Sequence, residues 1–249
     1  MGNLIKSEGY KLRKDRAFQL LTWMLIAISF LFPLLEFDRE GSAPPIVNDY
    51  YRNEILGVHT NIVKLIPSIL AGFFITSEYS MGTMKSIASS GNSRLRIYFA
   101  KLAMFSVGAI VISLILPMIM TGASAIYFGF DDMPEWTYYL QTIGLIILYS
   151  AAFASIMAVF SILFTDSGKT IGFLLLFFMF VDWPLQVLAA KAPFFEPMIS
   201  HSVFKLVYDI VVIDQLKGTE VLIIVVIPIL TFVAFGLIGS FIYQKKEIK

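Results

Sequence analysis

The chain has 249 residues, 57% of them hydrophobic and only 15% charged, with a mean hydropathy of +0.78. Soluble domains lie nearer about 45–50% apolar and about 25% charged, so this much apolar surface needs a bilayer rather than one aqueous core. A net charge of +1 offers no basic face for nucleic acid, and the absence of cysteine removes disulfides, thiolate catalysis and cysteine metal sites together.

Residues 1–16 carry five basic groups: Lys6, Lys11, Arg13, Lys14 and Arg16. Leu4, Ile5 and Leu12 would share roughly a 100° arc of a helix, yet Glu8 falls within it, so the amphipathic signal is imperfect. Two readings stay open: a positive-inside topogenic tail, or a helix lying on anionic headgroups.

A membrane-crossing helix needs about 20 mostly apolar residues at about 1.5 Å each. The first such segment is 17–35; it lacks an A-x-A cleavage signal and reads as a retained span rather than a removed leader. The second, 62–76, is short and has Lys64 and Pro67 near its start. The third, 97–128, exceeds a bilayer's need and should tilt, protrude or bend at Pro117. The fourth is 141–164, the fifth 170–190 and the sixth 221–243. Backbone groups in lipid must be paired internally, and continuous apolar runs without period-two alternation exclude a barrel. The expected fold is therefore all-α, one membrane domain over residues 1–249 with six spans.

Lys and Arg placement sets the orientation. With the N-terminus inside, the inner segments hold Lys6, Lys11, Arg13, Lys14, Arg16, Lys85, Arg94, Arg96, Lys101, Lys169, Lys245, Lys246 and Lys249. The outer side holds Arg39, Arg52, Lys64, Lys191, Lys205 and Lys217, which makes 13 against 6. Both termini are expected in the cytoplasm of a cell membrane. Trp136, Tyr138, Tyr139 and Trp183 fall where aromatic interfacial anchors belong.

Between the second and third spans stands SEYSMGTMKSIASSGNSR, residues 77–94. Met81, Met84, Ile87 and Ala88 recur at helical spacing and predict a short amphipathic helix over 78–90. Ser80 is placed to cap its start, Gly91 to end it in the left-handed conformation, and Ser93 to cap the next helix.

This string, followed by Lys101, resembles the segment after the second span in ABC type-2 transporter permeases. The pattern there is an acidic–aromatic pair, then Gly-Thr, then a Ser/Gly turn and basic residues. Here those positions are Glu78, Tyr79, Gly82, Thr83, Ser90, Gly91, Ser93 and Arg94. The resemblance is to small stand-alone bacterial permeases of the type V exporter fold, associated with peptide or bacteriocin export and immunity. It implies a half-transporter that pairs with a second permease copy and two separate ATP-binding subunits. It also implies that residues 78–90 form a coupling helix whose Glu78, Tyr79, Ser80, Met81, Thr83, Met84, Lys85 and Ile87 contact the ATPase. Glu78 is either a solvated charge at a helix end or an anchor at the base of the second span that transmits coupling-helix motion. No G-x-x-x-x-G-K-[ST] occurs: Gly168-Lys169-Thr170 is only the tail of such a loop, with no first glycine upstream. ATP and Mg are thus expected on the partner ATPase, and no cofactor on this chain.

Ser68, Gly72 and Thr76 repeat at i, i+4 on the second span, as do Ser150, Ala154 and Ala158, and Ala151 and Ser155, on the fourth. Such spacing serves close helix packing or, alternatively, a translocation path. The resemblance puts the second and fifth spans beside the central cleft, where Phe173, Phe177 and Phe180 would offer apolar contact to a lipid-like or amphipathic-peptide cargo. Asp182, in Val181-Asp182-Trp183-Pro184, is an acid inside an apolar run, either an interfacial structural break or a gate. Residues 191–220 form a long outer loop with a helical stretch 198–216, whose Val203, Leu206, Val207 and Ile210 would face the membrane. The resemblance implies a re-entrant or interfacial helix there. His59 and His201 are assigned to outer loops and give no metal site. Without H-E-x-x-H or G-x-S-x-G, an intramembrane enzyme has few constellations to draw on. A non-transporting sensor or immunity subunit has the same topology and remains an alternative.

Overall fold

The computed structural model describes residues 2–37, 45–84, 87 and 91–246, and all regular secondary structure among them is helical. Helix α1 (Gly2–Lys14) leads through Asp15, whose carboxylate accepts the Phe18 amide, into α2 (Arg16–Phe37). Helix α3 runs Val47–Ser80, α4 Arg94–Phe128 and α5 Trp136–Leu163. Helices α6 (Ser167–Phe180) and α7 (Asp182–Lys191) meet at a 41° bend, and α8 (Glu196–Ser200) and α9 (Val203–Leu206, continued by a 3₁₀ turn Val207–Val212) follow. Helix α10 (Thr219–Lys245) closes the chain. Among the described residues five helices are long and apolar enough to cross a bilayer, six if the bent α6–α7 pair is one span.

Both chain ends lie at one end of the bundle. The Arg94 guanidinium donates to the carbonyls of Gln244 and Lys246, and Lys101 reaches Glu8 of α1. The turns 81–93 and 164–167 share that end, since Lys246 Nζ donates to the Ile162 and Phe164 carbonyls. The chain therefore traverses the bundle an even number of times, with α6–α7 as the fifth passage.

Two predicted segments change on folding. The second span begins at Val47 rather than Ile62, because the polar residues Asn48, Asp49, Arg52, Asn53 and Glu54 sit on a helix that runs past the apolar layer. Its other face turns Val47, Tyr50, Tyr51 and Ile55 into the core, a helical period that hydropathy averaging conceals. His59 accordingly lies in this helix, buried, and not in an outer loop; Lys64 is buried on the same helix. Residues 198–216 are broken into short pieces at His201–Ser202, and Val203, Leu206, Val207 and Ile210 are buried against the bundle instead of facing lipid. They form a cap over its far end. His201 is exposed there.

At Pro117 helix α4 changes locally and continues to Phe128. It widens into a π turn over Leu116–Met120. The carbonyl of Ser113 loses the α-helical donor that proline lacks.

Small residues set the packing. Ser150, Ala154, Ser155 and Ala158 are buried inside the subunit on α5, and Gly239 lets α10 approach Tyr98 so closely that a Cβ there would stand 2.1 Å from its hydroxyl. Ser68, Gly72 and Thr76 also lie on the buried face of α3. A Cβ on Gly72 would stand 2.3 Å from Ile171 Cγ1 of α6, and Thr76 donates to the Ser161 carbonyl of α5. In this conformation the three pack helices rather than line an open path.

Candidate functional site

The end bearing both termini gathers four charges that are far apart in sequence. Glu78 ends α3, Glu8 and Lys11 stand one turn apart on α1, and Lys101 lies two turns into α4. Lys101 Nζ is 2.9 Å from Glu8 Oε2 and 2.7 Å from Glu78 Oε2, the latter an ion pair without hydrogen-bond alignment. Lys11 Nζ is 2.6 Å from Glu8 Oε1 and 2.8 Å from Glu78 Oε1. Each acid therefore meets both bases. Glu8, Glu78 and Lys101 are only 4%, 7% and 4% exposed, and buried charges persist only when paired in this way.

This network explains the imperfect amphipathic pattern of α1. Glu8 sits in the middle of the buried face, between Leu4 and Leu12, because that face meets α4 and not lipid alone. Leu12 packs over Gly108 and Gly9 over Met104, in register with Glu8 on Lys101. Burial pushes the Glu8 carboxyl upward, but Lys101 and Lys11 outweigh it and hold it below the ordinary 4.5. Burial pushes the Lys11 ammonium down, and the two carboxylates overcome that and raise it above 10.5.

Beside the clamp, α3 stops and the chain turns sharply. Met81 and Gly82 amides close on the Ser77 and Tyr79 carbonyls, and Gly82 takes φ +70°, open to glycine without strain. Ser80 is the last residue of α3 and donates to the Ser77 carbonyl, so it does not cap a new helix. Glu78 and Tyr79 likewise belong to α3. Thr83, Met84 and Ile87 are helical beyond the turn; Lys85 and Ser90 lie outside the described residues.

The predicted stripe divides at this turn. Met84 is buried, with the Tyr243 hydroxyl 3.1 Å from its Sδ, and Ile87 packs on the core. Met81, placed by the break on the opposite side, is 67% exposed, and Ser80, Gly82 and Thr83 are exposed with it. The elbow thus holds to its own bundle by Met84 and Ile87 and presents Ser80–Thr83 outward. Gly91 takes the left-handed conformation, with φ +81°, and the Ser93 hydroxyl accepts the Arg96 amide to cap α4, as their positions predict. Lys246 stacks 4.0 Å from the Tyr79 ring.

At the far end, Asp182 sits at the α6–α7 bend where Val181-Asp182-Trp183-Pro184 predicts a break. Its Oδ2 receives Lys64 Nζ at 2.7 Å and the Tyr208 hydroxyl at 2.7 Å, and Lys64 donates to Tyr208 at 3.0 Å. Three elements, α3, the bend and the cap, meet on one carboxylate oxygen. Arg52 adds a second tie, with Nη2 2.7 Å from Asp214 Oδ2 and its guanidinium 3.8 Å over the Tyr138 ring. Phe177 packs inside the subunit against Phe160, Phe173, Phe178 and Phe204. Phe173 and Phe180 reach the exposed face of α6.

The sequence contained a signal for both charge networks. Glu8, Lys64, Lys101 and Asp182 each interrupt an apolar arc or run, and such charges pair with one another; which acid meets which base depends on helix packing that spacing alone does not supply. Among the described residues no group of histidines and acids has metal-binding spacing.

No curated protein matches the chain. The family profile described as ABC-2 family transporter protein matches residues 4–172, more than half of its length. The match begins within α1, spans the clamp and the elbow, and ends in α6, so the four-charge clamp lies wholly inside the family's own segment. With five to six apolar helices and no strand among the described residues, this is a multi-pass membrane permease that belongs to the ABC-2 transporter family.

Proposed function

We propose that this chain is the membrane subunit of an ATP-driven exporter of hydrophobic or amphipathic peptides or related antimicrobial compounds, working with two separate ABC ATPase subunits and a second permease copy. Family membership supports the class. The observation that carries the mechanism is the elbow: an exposed Met81 between polar neighbours, one turn from a Glu78 locked to α1 and α4. In this reading the elbow end is cytoplasmic, as the Lys and Arg bias indicates. Ser80–Thr83 dock on the ATPase, which holds ATP and Mg.

When ATP draws the two ATPases together, the elbow is displaced. Glu78 passes that displacement to α1 and α4 as one body, because separating it would leave its own buried carboxylate unpaired and take one of two counterions from both Lys11 and Lys101. The bundle then shifts from inward to outward opening, driven by the difference in ATP affinity between the two states. Phe173 and Phe180, on the exposed face of α6, give the cargo apolar contact. Asp182 acts as the outer gate, holding α3, the bend and the cap together through Lys64 and Tyr208 until the bundle shifts.

Co-expression with an ABC ATPase and reconstitution into vesicles tests this. Stable co-purification and ATP turnover stimulated by an amphipathic peptide are expected. A complex that binds peptide without any rise in turnover would point instead to the sensor or immunity role.

A further inference from the structure

The bend between α6 and α7 opens a cleft of about 300 Å³ against the cap, lined by Asp182, Leu185, Gln186, Phe204, Lys205 and Tyr208, with Ile199 and Ser202 completing its wall. Its chemistry is divided. Leu185, Ile199 and Phe204 form an apolar side. Asp182 is half-shielded, its side chain 22% exposed, and among the described residues only its Oδ2 is engaged. A carboxylate offers about four acceptor sites, so Oδ1 remains to receive N–H donors. Lys205 is exposed on the other side of the cleft.

Asp182 is paired with Lys64 at 2.7 Å, and Lys205 lines the same cleft. The lining thus offers a hydrogen-bond acceptor and a cation, the two groups that a zwitterion matches at its two ends. The volume corresponds to roughly ten water-sized groups at about 30 Å³ each, the size of a headgroup and not of paired acyl chains. Exposed Trp183 beside Asp182 marks the depth at which headgroups lie.

We propose that this cleft binds the headgroup of a zwitterionic aminophospholipid. The primary ammonium donates to Asp182 Oδ1, the phosphate pairs with Lys205, and the glyceryl end leaves along Leu185 and Phe204 toward the membrane. The lipid thereby occupies the joint between the fifth passage and the cap. The proposed function enters only in deciding which leaflet supplies the lipid, so the site is testable on the permease alone.

The test uses Leu185→Cys in this cysteine-free chain, purified in detergent without any ATPase, with maleimide labelling as readout. Dihexanoyl phosphatidylethanolamine is expected to slow labelling about tenfold at a concentration where the phosphatidylcholine and phosphatidylglycerol analogues do not. Those controls lack, respectively, N–H donors and a cation. Lys205→Met, on the exposed rim, should weaken protection several-fold. Lys64→Met/Asp182→Asn, which removes both members of the ion pair together, should abolish the preference for ethanolamine. Equal protection by phosphatidylglycerol, or a preference that survives the double variant, would overturn the proposal. Equal protection by free phosphoethanolamine would overturn the lipid assignment in favour of a soluble zwitterion. Loss of ATPase coupling in the full complex leaves each of these readouts intact, so the two readings fail separately.

Discussion

Glu8→Gln/Glu78→Gln removes both anions of the clamp and leaves the Lys101 ammonium, 4% exposed, without a counterion. Uncompensated burial of one member of an ion pair costs about 3–5 kcal/mol. Glu78→Gln alone should cost less, about 2 kcal/mol, because Glu8 still holds Lys101 at 2.9 Å and Lys11, with a side chain 36% exposed, can turn to water. Adding Lys101→Met to the double variant removes the stranded charge and should restore stability to within about 1 kcal/mol of the parent, as apolar replacement of whole buried networks does. Unfolding by sodium dodecyl sulfate in mixed micelles, followed by circular dichroism, reads these differences. The triple variant also separates stability from coupling: it should fold and bind the ATPase, yet lose cargo-stimulated turnover because α1, α3 and α4 no longer move together. If Glu78→Gln is neutral, or if Lys101→Met fails to rescue the double variant, the charges do not form a closed network. Normal turnover in the triple variant would remove the transmitting role.

Other consequences follow from the same geometry. Glu8 has a depressed value when folded, so its contribution is complete above 4.5 and fades as pH falls through the depressed value; Lys11 has a raised value, so its contribution is complete below 10.5 and fades as pH rises through the raised one. A nitroxide on Ser7→Cys should therefore stay immobile between these limits and gain mobility beyond either. Gly72→Ala places a methyl 2.3 Å from Ile171 Cγ1 and should destabilise by about 1–3 kcal/mol, with partial relief from Ile171→Ala in the same unfolding assay. Asp182→Asn strands Lys64, 1% exposed, and should cost about 3–5 kcal/mol, more than Lys64→Met, which leaves a carboxylate with access to water; the double variant should approach the parent. A gating role adds that Asp182→Asn changes transport rate in vesicles, and an unchanged rate and substrate range would remove it.

Hydropathy gave the all-helical fold and its passages because each apolar run must be paired internally in lipid. The bend at Asp182, the left-handed turn at Gly91 and the cap at Ser93 were equally legible, since proline, glycine and serine act locally. What averaging concealed was the half of α3 before Ile62, where polar residues lie on a helix projecting from the apolar layer. The direction of the stripes was also hidden. Met84 and Ile87 carry the helical period of a docking face, yet they face Tyr243 and the bundle core, because the break at Gly82 turns Met81 the other way. Val203, Leu206, Val207 and Ile210 show the same ambiguity: a period of apolar residues does not say whether lipid or protein covers it. Glu8 was visible as an anomaly in α1, and its meaning required Lys101 from a helix more than ninety residues away in sequence.

The most direct measurement concerns the elbow. In a chain free of cysteine, Met81→Cys stands alone on the exposed tip, and Phe194→Cys, 81% exposed, stands alone at the opposite end. Bifunctional maleimide–photoreactive crosslinking in membranes holding the assembled complex should join the ATPase to position 81 and never to position 194. An ATPase captured at 194, or a complex in which position 81 reacts only with reagents confined to the outside of the cell, contradicts the account.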